Sequence, residues 1–314
     1  MRVLFIDRVH PVLRQRLEAA GMHCEEDLDC SREGLSAKMG GYQGLVLRSR
    51  LPIDRPLLEQ AESLQWIARS GSGLENIDLI AAKEKGIEVF SSPEGNRDAL
   101  AEHCLGMLLQ LLHRLHIAHR EVQQGLWRRE ANRGRELKSL CFGIVGYGHM
   151  GSAVAERLRS FGCRILAYDK YKEHYGNAYV EACKLEDLQR EADVLSIHLP
   201  QSDESRYFVN AELIKSMRKP FYLINTARGA HVDTAALYSG IRAGKVLGAC
   251  LDVLEYEKRS LEGLSDEGGP GVLRRLLEME QVIVTPHIAG WTHESYVKLS
   301  EVLADKILAR FRVD

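Results

Sequence analysis

Three polar side chains sit where apolar runs end, and together they define a chemistry. The run 221–225 ends in Thr226-Ala227-Arg228-Gly229. The run 248–253 leads into Glu255-Tyr256-Glu257. The run 282–285 ends in Pro286-His287-Ile288-Ala289-Gly290. Short apolar runs of this kind read as parallel strands, and an open parallel sheet binds its ligands beyond the carboxyl ends of its strands. A guanidinium, a carboxylate and an imidazole would therefore reach one edge of one sheet. That set suits hydride transfer at the carbonyl of a 2-keto acid. A guanidinium binds a carboxylate in two-pronged fashion and polarises a carbonyl oxygen. An imidazole gives or takes a proton near neutral pH. A carboxylate beside it fixes the tautomer and supports the charged ring. Singly, each has a plainer reading: Arg228 a surface pair, Glu257 a solvated loop charge, His287 a satisfied loop histidine.

A second motif supplies a partner for that chemistry. The run 141–145 enters Gly146-Tyr147-Gly148-His149-Met150-Gly151, and 152–161 has helical spacing. With 27 glycines in the chain a bare G-x-G-x-x-G arises by chance, but here a strand precedes it and a helix follows. The first glycine would make the turn, the second would let backbone approach a pyrophosphate, and the third would let helix and strand pack closely. The phosphates would sit at the helix N-terminus. The next strand, 164–168, ends in Asp169, 18 positions after Gly151. A carboxylate there accepts from ribose hydroxyls and repels a 2′-phosphate, which favours NAD over NADP. Lys170 and Lys172 soften that preference, because they could shield a phosphate.

Those residues need a scaffold, and the chain reads as one. Apolar runs at 3–6, 44–47, 64–68 and 87–90 are strands, with helices at 12–20 and 77–85. This β-α alternation predicts a mostly parallel sheet covered by helices on both faces. The rhythm breaks near Pro93. From 98 to 124 the spacing of Leu105, Leu108, Leu109, Leu112 and Leu115 predicts one long helix. A second β-α series then starts at Leu140, with strands at 141–146, 164–168, 194–199, 221–225, 248–253 and 282–285, and an amphipathic helix closes the chain at 291–312. With 314 residues two domains are expected, divided near 95, with the last helix crossing back to the first. The charged stretch 257–269 reads as an exposed loop.

Composition narrows the function. A net charge of −2, with no basic tail or charge block, argues against a nucleic-acid partner. No apolar run approaches membrane-spanning length, and the N-terminus has no secretory layout. Seven scattered cysteines without a Cys-x-x-Cys pair suggest free thiols, a reducing compartment and hence the cytoplasm. His116 and His119 could share a helix face, but nothing beside them completes a metal shell, so no metal is expected. His103 is expected to be a structural hydrogen-bonder under the site, and Cys141 and Cys250 small core residues.

With these residues in view, the chain resembles the D-isomer-specific 2-hydroxyacid dehydrogenases over nearly its whole length. The resemblance is carried by Gly146–Gly151 with Asp169, by Ile224-Asn225-Thr226-Ala227-Arg228-Gly229, by Leu251-Asp252-Val253 with Glu257, and by Thr285-Pro286-His287-Ile288-Ala289-Gly290. Ala101-Glu102-His103 and Gly71-Ser72-Gly73-Leu74-Glu75-Asn76-Ile77-Asp78 add to it. It implies two doubly wound domains: a Rossmann NAD-binding domain (96–290) inserted in a flavodoxin-like substrate domain (1–95 and 291–314). It implies that Arg228 binds the substrate's carboxylate and carbonyl oxygen and that Glu257 and His287 form the acid/base pair. Asp252 would hold the nicotinamide carboxamide. Tyr147, His149, Met150, Pro200, Thr226, Ala227 and Gly290 would line the cofactor. Backbone amides near Ser70 and Gly71 would receive the substrate carboxylate. In the family the outer domain closes over the nucleotide domain, and the long helix 98–124 builds a homodimer. Departures are Lys258 where Pro often follows the catalytic Glu, and Gln201 where Leu usually follows Pro200. Formate dehydrogenases of the superfamily carry Gln in place of Glu257, so that activity is not expected.

The substrate stays open at this level. Leu47-Arg48-Ser49-Arg50 resembles the run that meets the distal phosphate in 3-phosphoglycerate dehydrogenases; alternatively Arg48 meets only a carboxylate or a neighbouring helix, Arg50 is solvated, and the substrate is a general 2-hydroxy acid such as glycerate or lactate. Trp291, beside His287 in the chain, would narrow the pocket. An end at Asp314 leaves no room for the serine-responsive regulatory domain of many phosphoglycerate dehydrogenases. A rival of another class is a NAD-sensing corepressor-like protein that recruits partners without turnover; an intact Arg228, Glu257 and His287 weighs against it.

Overall fold

A computed structural model describes residues 1–257 and 271–311. Lys258 and the rest of the charged stretch to 269 lie outside the described residues. The chain is α/β and divides into two compact units: the first holds residues 1–97 and those from 291 onward, the second the described residues from 98 to 290.

The sheet of the first unit has five parallel strands: β1 Arg2–Phe5, β2 His23–Glu26, β3 Gly44–Leu47, β4 Trp66–Arg69 and β5 Glu88–Ser91, in the order β2-β1-β3-β4-β5. Strand alternation sends Val3, Phe5, Val46, Trp66 and Ala68 to one face, where they pack with Leu303, Ala304 and Ile307 of the C-terminal helix His293–Arg310. Leu4, Leu45, Leu47 and Ile67 go to the other face, against Leu35, Leu57, Ala81 and Ala82. Burial on both faces is why these strands read as unbroken apolar runs. β2 escapes that reading because it is an edge strand of sequence HCEE with only Cys24 buried.

The sheet of the second unit has seven parallel strands: β6 Cys141–Val145, β7 Arg164–Tyr168, β8 Glu181–Ala182, β9 Val194–Ile197, β10 Phe221–Asn225, β11 Val246–Leu251 and β12 Val282–Val284. Their order is β12-β11-β10-β9-β6-β7-β8. The strand order reverses between β6 and β9, and in doubly wound sheets a ligand crevice opens at such a point.

The long helix differs from expectation. It begins at Pro93, whose missing N–H needs no partner in a first turn, and ends at Leu112. A second helix runs Leu115–Gln123, and Arg114 between them is left-handed, with φ +53°. A returning loop causes the break: Arg135 donates its N–H to the Leu112 carbonyl at 3.0 Å and so caps the first helix. The periodic leucines on either side gave no sign of this contact.

Candidate active site

The glycine turn follows β6 directly. Gly146 has φ +89°, and a Cβ there would lie 2.6 Å from the His198 carbonyl oxygen. The helix starts at His149, earlier than the spacing suggested, so Gly151 lies in its first turn. Gly148 is the N-cap and offers no side-chain acceptor, which leaves the first N–H groups of the helix for another acceptor. A Cβ on Gly151 would stand 2.1 Å from the Gly146 carbonyl oxygen, whereas one on Gly148 would meet no atom within 4 Å. Two of the glycines are thus required by packing, and the third keeps a backbone face open, as a bound pyrophosphate needs. His149 is exposed. Met150 is partly buried, its side chain packed against the core. Tyr147 is buried against Tyr175, ring centroids 5.2 Å apart.

Asp169 follows β7. Its Oδ2 accepts the N–H of Tyr147 at 2.8 Å, and its Oδ1 those of Tyr171 and Lys172 at 3.0 and 3.1 Å. The carboxylate therefore ties the glycine turn to the turn after β7. Both nearby lysines are engaged: Lys170 pairs with Glu204, and Lys172 Nζ donates to the Tyr147 carbonyl at 2.7 Å. After β9, the Pro200 carbonyl accepts the Ser205 hydroxyl at 2.8 Å.

At the end of β10 the buried Asn225 shapes the turn that carries Arg228. Its Oδ1 accepts the Ala227 N–H at 3.1 Å and its Nδ2 donates to the Arg228 carbonyl at 2.9 Å. Thr226 is buried, with its hydroxyl 3.2 Å from Cys104 Sγ. Desolvation pushes that thiol up to about 12, so Cys104 is neutral.

His287 and Glu257 meet: Nδ1 lies 2.8 Å from Oε2. The other Glu257 oxygen accepts the Leu254 N–H. Glu255, two residues before Glu257, serves the fold by accepting from the Thr234 and Tyr207 hydroxyls at 2.7 and 2.6 Å. His287 has φ +56°, a conformation uncommon outside glycine that clusters at functional sites. Asp252, only 1% exposed, anchors the loop around it. Its Oδ1 accepts the Thr285 hydroxyl (2.5 Å) and the Ile288 N–H (2.9 Å), and its Oδ2 the Ala289 N–H (2.8 Å). His103 Nε2 lies 3.0 Å from the Thr285 hydroxyl, the underpinning role expected of it. Gly290 ends this loop. Among the described residues no group of three or more His, Cys, Asp or Glu could hold a metal.

The candidates of the first unit fare unevenly. Arg50 is not simply solvated: its guanidinium bonds Asp7 at 3.1 Å and the carbonyls of Cys30 and Ile6 at 2.7 Å each. It ties the ends of β1 and β3 together. Arg48 lies over the Trp291 ring, 4.2 Å from its centroid. Ser70 also departs from expectation, because its N–H goes to the Leu47 carbonyl at 2.9 Å, extending the sheet. The next N–H groups, of Gly71 and Ser72, meet no acceptor among the described residues.

Comparison with known proteins adds independent findings. Residues 105–289 match the family model described as D-isomer specific 2-hydroxyacid dehydrogenase, NAD binding domain. A hydroxypyruvate reductase of Thermotoga maritima is 34% identical over 294 residues, 94% of this chain and 91% of that protein. A D-3-phosphoglycerate dehydrogenase of Archaeoglobus fulgidus is 32% identical over 98% of this chain, which spans only 57% of that protein's length. A D-lactate dehydrogenase from Aquifex aeolicus, solved with NAD and lactic acid, superposes with a TM-score of 0.81 at 29% identity, covering 98% of this chain and 95% of that one.

Proposed function

Because the chain belongs to the D-isomer specific 2-hydroxyacid dehydrogenase family and carries its NAD-binding domain, we propose that it interconverts a short 2-keto acid and the D-2-hydroxy acid with NAD(H). The observation that carries this reading is the His287–Glu257 contact of 2.8 Å. It engages Nδ1 and leaves Nε2 as the nitrogen that exchanges a proton with substrate. The glycine turn, with Gly148 open and Asp169 behind it, supports pyrophosphate and ribose binding by residues 146–151 and 169. Pro200, Thr226, Ala227, Asp252 and Gly290 are assigned to the rest of the cofactor site. Bound there, the nicotinamide would supply or accept the hydride at the substrate's α-carbon.

Arg228 then holds the carboxylate and draws electron density toward the carbonyl oxygen. In reduction, protonated His287 delivers its Nε2 proton to that oxygen. In oxidation the neutral ring takes the hydroxyl proton back. Glu257 fixes the ring by accepting from Nδ1. In the first unit, the N–H groups of Gly71 and Ser72 suit a carboxylate. With Arg50 bonded to Asp7, and Arg48 over Trp291, the reading favours an unphosphorylated acid over 3-phosphoglycerate. Exposed Leu115, Val122 and Trp127 along and after the helix Leu115–Gln123 support a homodimer through this segment. No helix among the described residues is long and apolar enough to cross a membrane, and the free thiols support the cytoplasm.

The test is NADH oxidation with pyruvate, glyoxylate, hydroxypyruvate and phosphohydroxypyruvate. Turnover of the unphosphorylated acids, with hydroxypyruvate preferred over its phosphate, is expected. Preference for phosphohydroxypyruvate would overturn the substrate assignment. Tight NADH binding without turnover of any of the four would favour a NAD-sensing interaction protein.

A further inference from the structure

We propose that Glu204 sets the discrimination between NAD and NADP in this chain by neutralising Lys170. The inference rests on reading residues 146–151 and Asp169 as the dinucleotide site. In such sites an acid at the end of the second strand takes the ribose hydroxyls, and a neighbouring cation accommodates a 2′-phosphate. This chain has the acid, Asp169, with lysines one and three places after it. By sequence alone those lysines could receive a phosphate.

The structure gives both another partner. Lys170 is ion-paired to Glu204, which lies on the loop after β9. The Tyr171 hydroxyl donates to the other Glu204 oxygen at 2.5 Å, and Lys170 Nζ stands 5.7 Å from the Tyr171 ring centroid. One carboxylate thus holds two consecutive residues of the turn that Asp169 starts. The loop presenting Glu204 is itself ordered: Ser205 Oγ donates to the Pro200 carbonyl at 2.8 Å, and Ser202 N–H donates to Ser205 Oγ at 2.9 Å. Bonds from Lys170 and Tyr171 hold the Glu204 carboxyl below its ordinary range, so it is ionised at neutral pH.

The charge count follows. Asp169 and Glu204 oppose Lys170 and Lys172, and Glu173 and Asp203 stand beside them in the chain, so an incoming 2′-phosphate meets an excess of anions and two engaged cations. Removing the Glu204 charge lowers that excess by one and releases Lys170. Because Lys170 and Glu204 are each about half exposed (55% and 53%), the effect is screened and of the size of an exposed ion pair, about fivefold in affinity, and larger at low salt.

The experiment titrates ADP-ribose and 2′-phospho-ADP-ribose into wild type, Glu204→Gln and the double variant Glu204→Gln/Lys170→Ala at low ionic strength, by calorimetry. Glu204→Gln is expected to tighten 2′-phospho-ADP-ribose about fivefold and to change ADP-ribose less than about twofold. The double variant should lose the gain. An equal change for both ligands, or a gain that survives without Lys170, would overturn the proposal. A wild type that binds neither ligand would instead overturn the dinucleotide reading on which it stands.

Discussion

Two alanine substitutions three residues apart should separate folding from cofactor binding. In Gly151→Ala the new Cβ falls 2.1 Å from the Gly146 carbonyl oxygen and 3.0 Å from Ile144 Cγ2. Both neighbours belong to β6 or its turn, and the nearer is backbone, so no side-chain rotation relieves the clash. The helix must move off the strand by about 1 Å, and such overpacking costs about 1–3 kcal/mol. In Gly148→Ala the Cβ meets nothing within 4 Å, and φ −87°, ψ −154° is a conformation any residue adopts. Loss of a glycine N-cap and gain from a stiffer unfolded chain nearly offset, so stability should stay within about 1 kcal/mol of wild type. Yet the methyl would occupy the backbone face that a pyrophosphate must approach. NADH affinity should fall at least about tenfold, since losing close backbone hydrogen bonds to a charged group costs about 1.5–3 kcal/mol. Urea unfolding followed by tryptophan fluorescence gives the first quantity and NADH fluorescence titration the second. Wild-type NADH affinity in a folded Gly148→Ala would refute the assignment of this turn to the pyrophosphate.

Glu257→Gln should lower kcat by about 10²-fold with little change in NADH affinity: Glu257 accepts from both His287 and Leu254, and a glutamine has a single oxygen to share between them. Unchanged kcat would remove Glu257 from the acid/base pair. His198 should impose a pH dependence on stability, because desolvation pushes its imidazole down from 6.5 to about 4. The unfolded chain takes up the proton first, so stability falls as pH drops through 6.5 and this contribution is exhausted near 4. Between pH 7 and 5 that loss is about 2 kcal/mol. His198→Leu should lose that much less over the same interval in urea unfolding, and parallel profiles for the two proteins would refute it.

Much of the site could be read from sequence because the topology is parallel. Once Arg228, His287, Asp169 and the glycine run each follow an apolar strand, all of them lie at the same edge, and linear position suffices. What could not be read depends on contacts between distant segments. The run Leu47-Arg48-Ser49-Arg50 resembled a phosphate-binding one, and nothing in it showed that Arg50 bonds Asp7, which follows the adjacent parallel strand 43 residues earlier. Lys170 was ambiguous for the same reason, its partner lying 34 residues on. The helix break at Arg114 carries no Gly or Pro, since the cap comes from Arg135. Strands β2 and β8 are short, polar edges without an apolar run to announce them.

The loop of His287 shows how such distant contacts hold a proposed acid/base group. A histidine at φ +56° sits in a sparsely populated conformation that costs on the order of 1–3 kcal/mol and persists only when its surroundings over-determine it. Here they do. The His287 N–H donates to the Asp252 carbonyl at 2.8 Å. The Asp252 side chain takes the Thr285 hydroxyl before the histidine and the two N–H groups after it. Asp252 therefore binds the loop on both sides of the strained residue, from a position 1% exposed where each bond is poorly screened. A carboxylate offers roughly four acceptor positions, and three are already in use within the loop. Positioning the imidazole thus accounts for most of what Asp252 can bind, and at most about one acceptor site remains for a nicotinamide carboxamide. The backbone that carries the imidazole is thus held by bonds to Asp252, none of which involves Glu257. Glu257 adds orientation and charge to a ring whose location Asp252 has already determined.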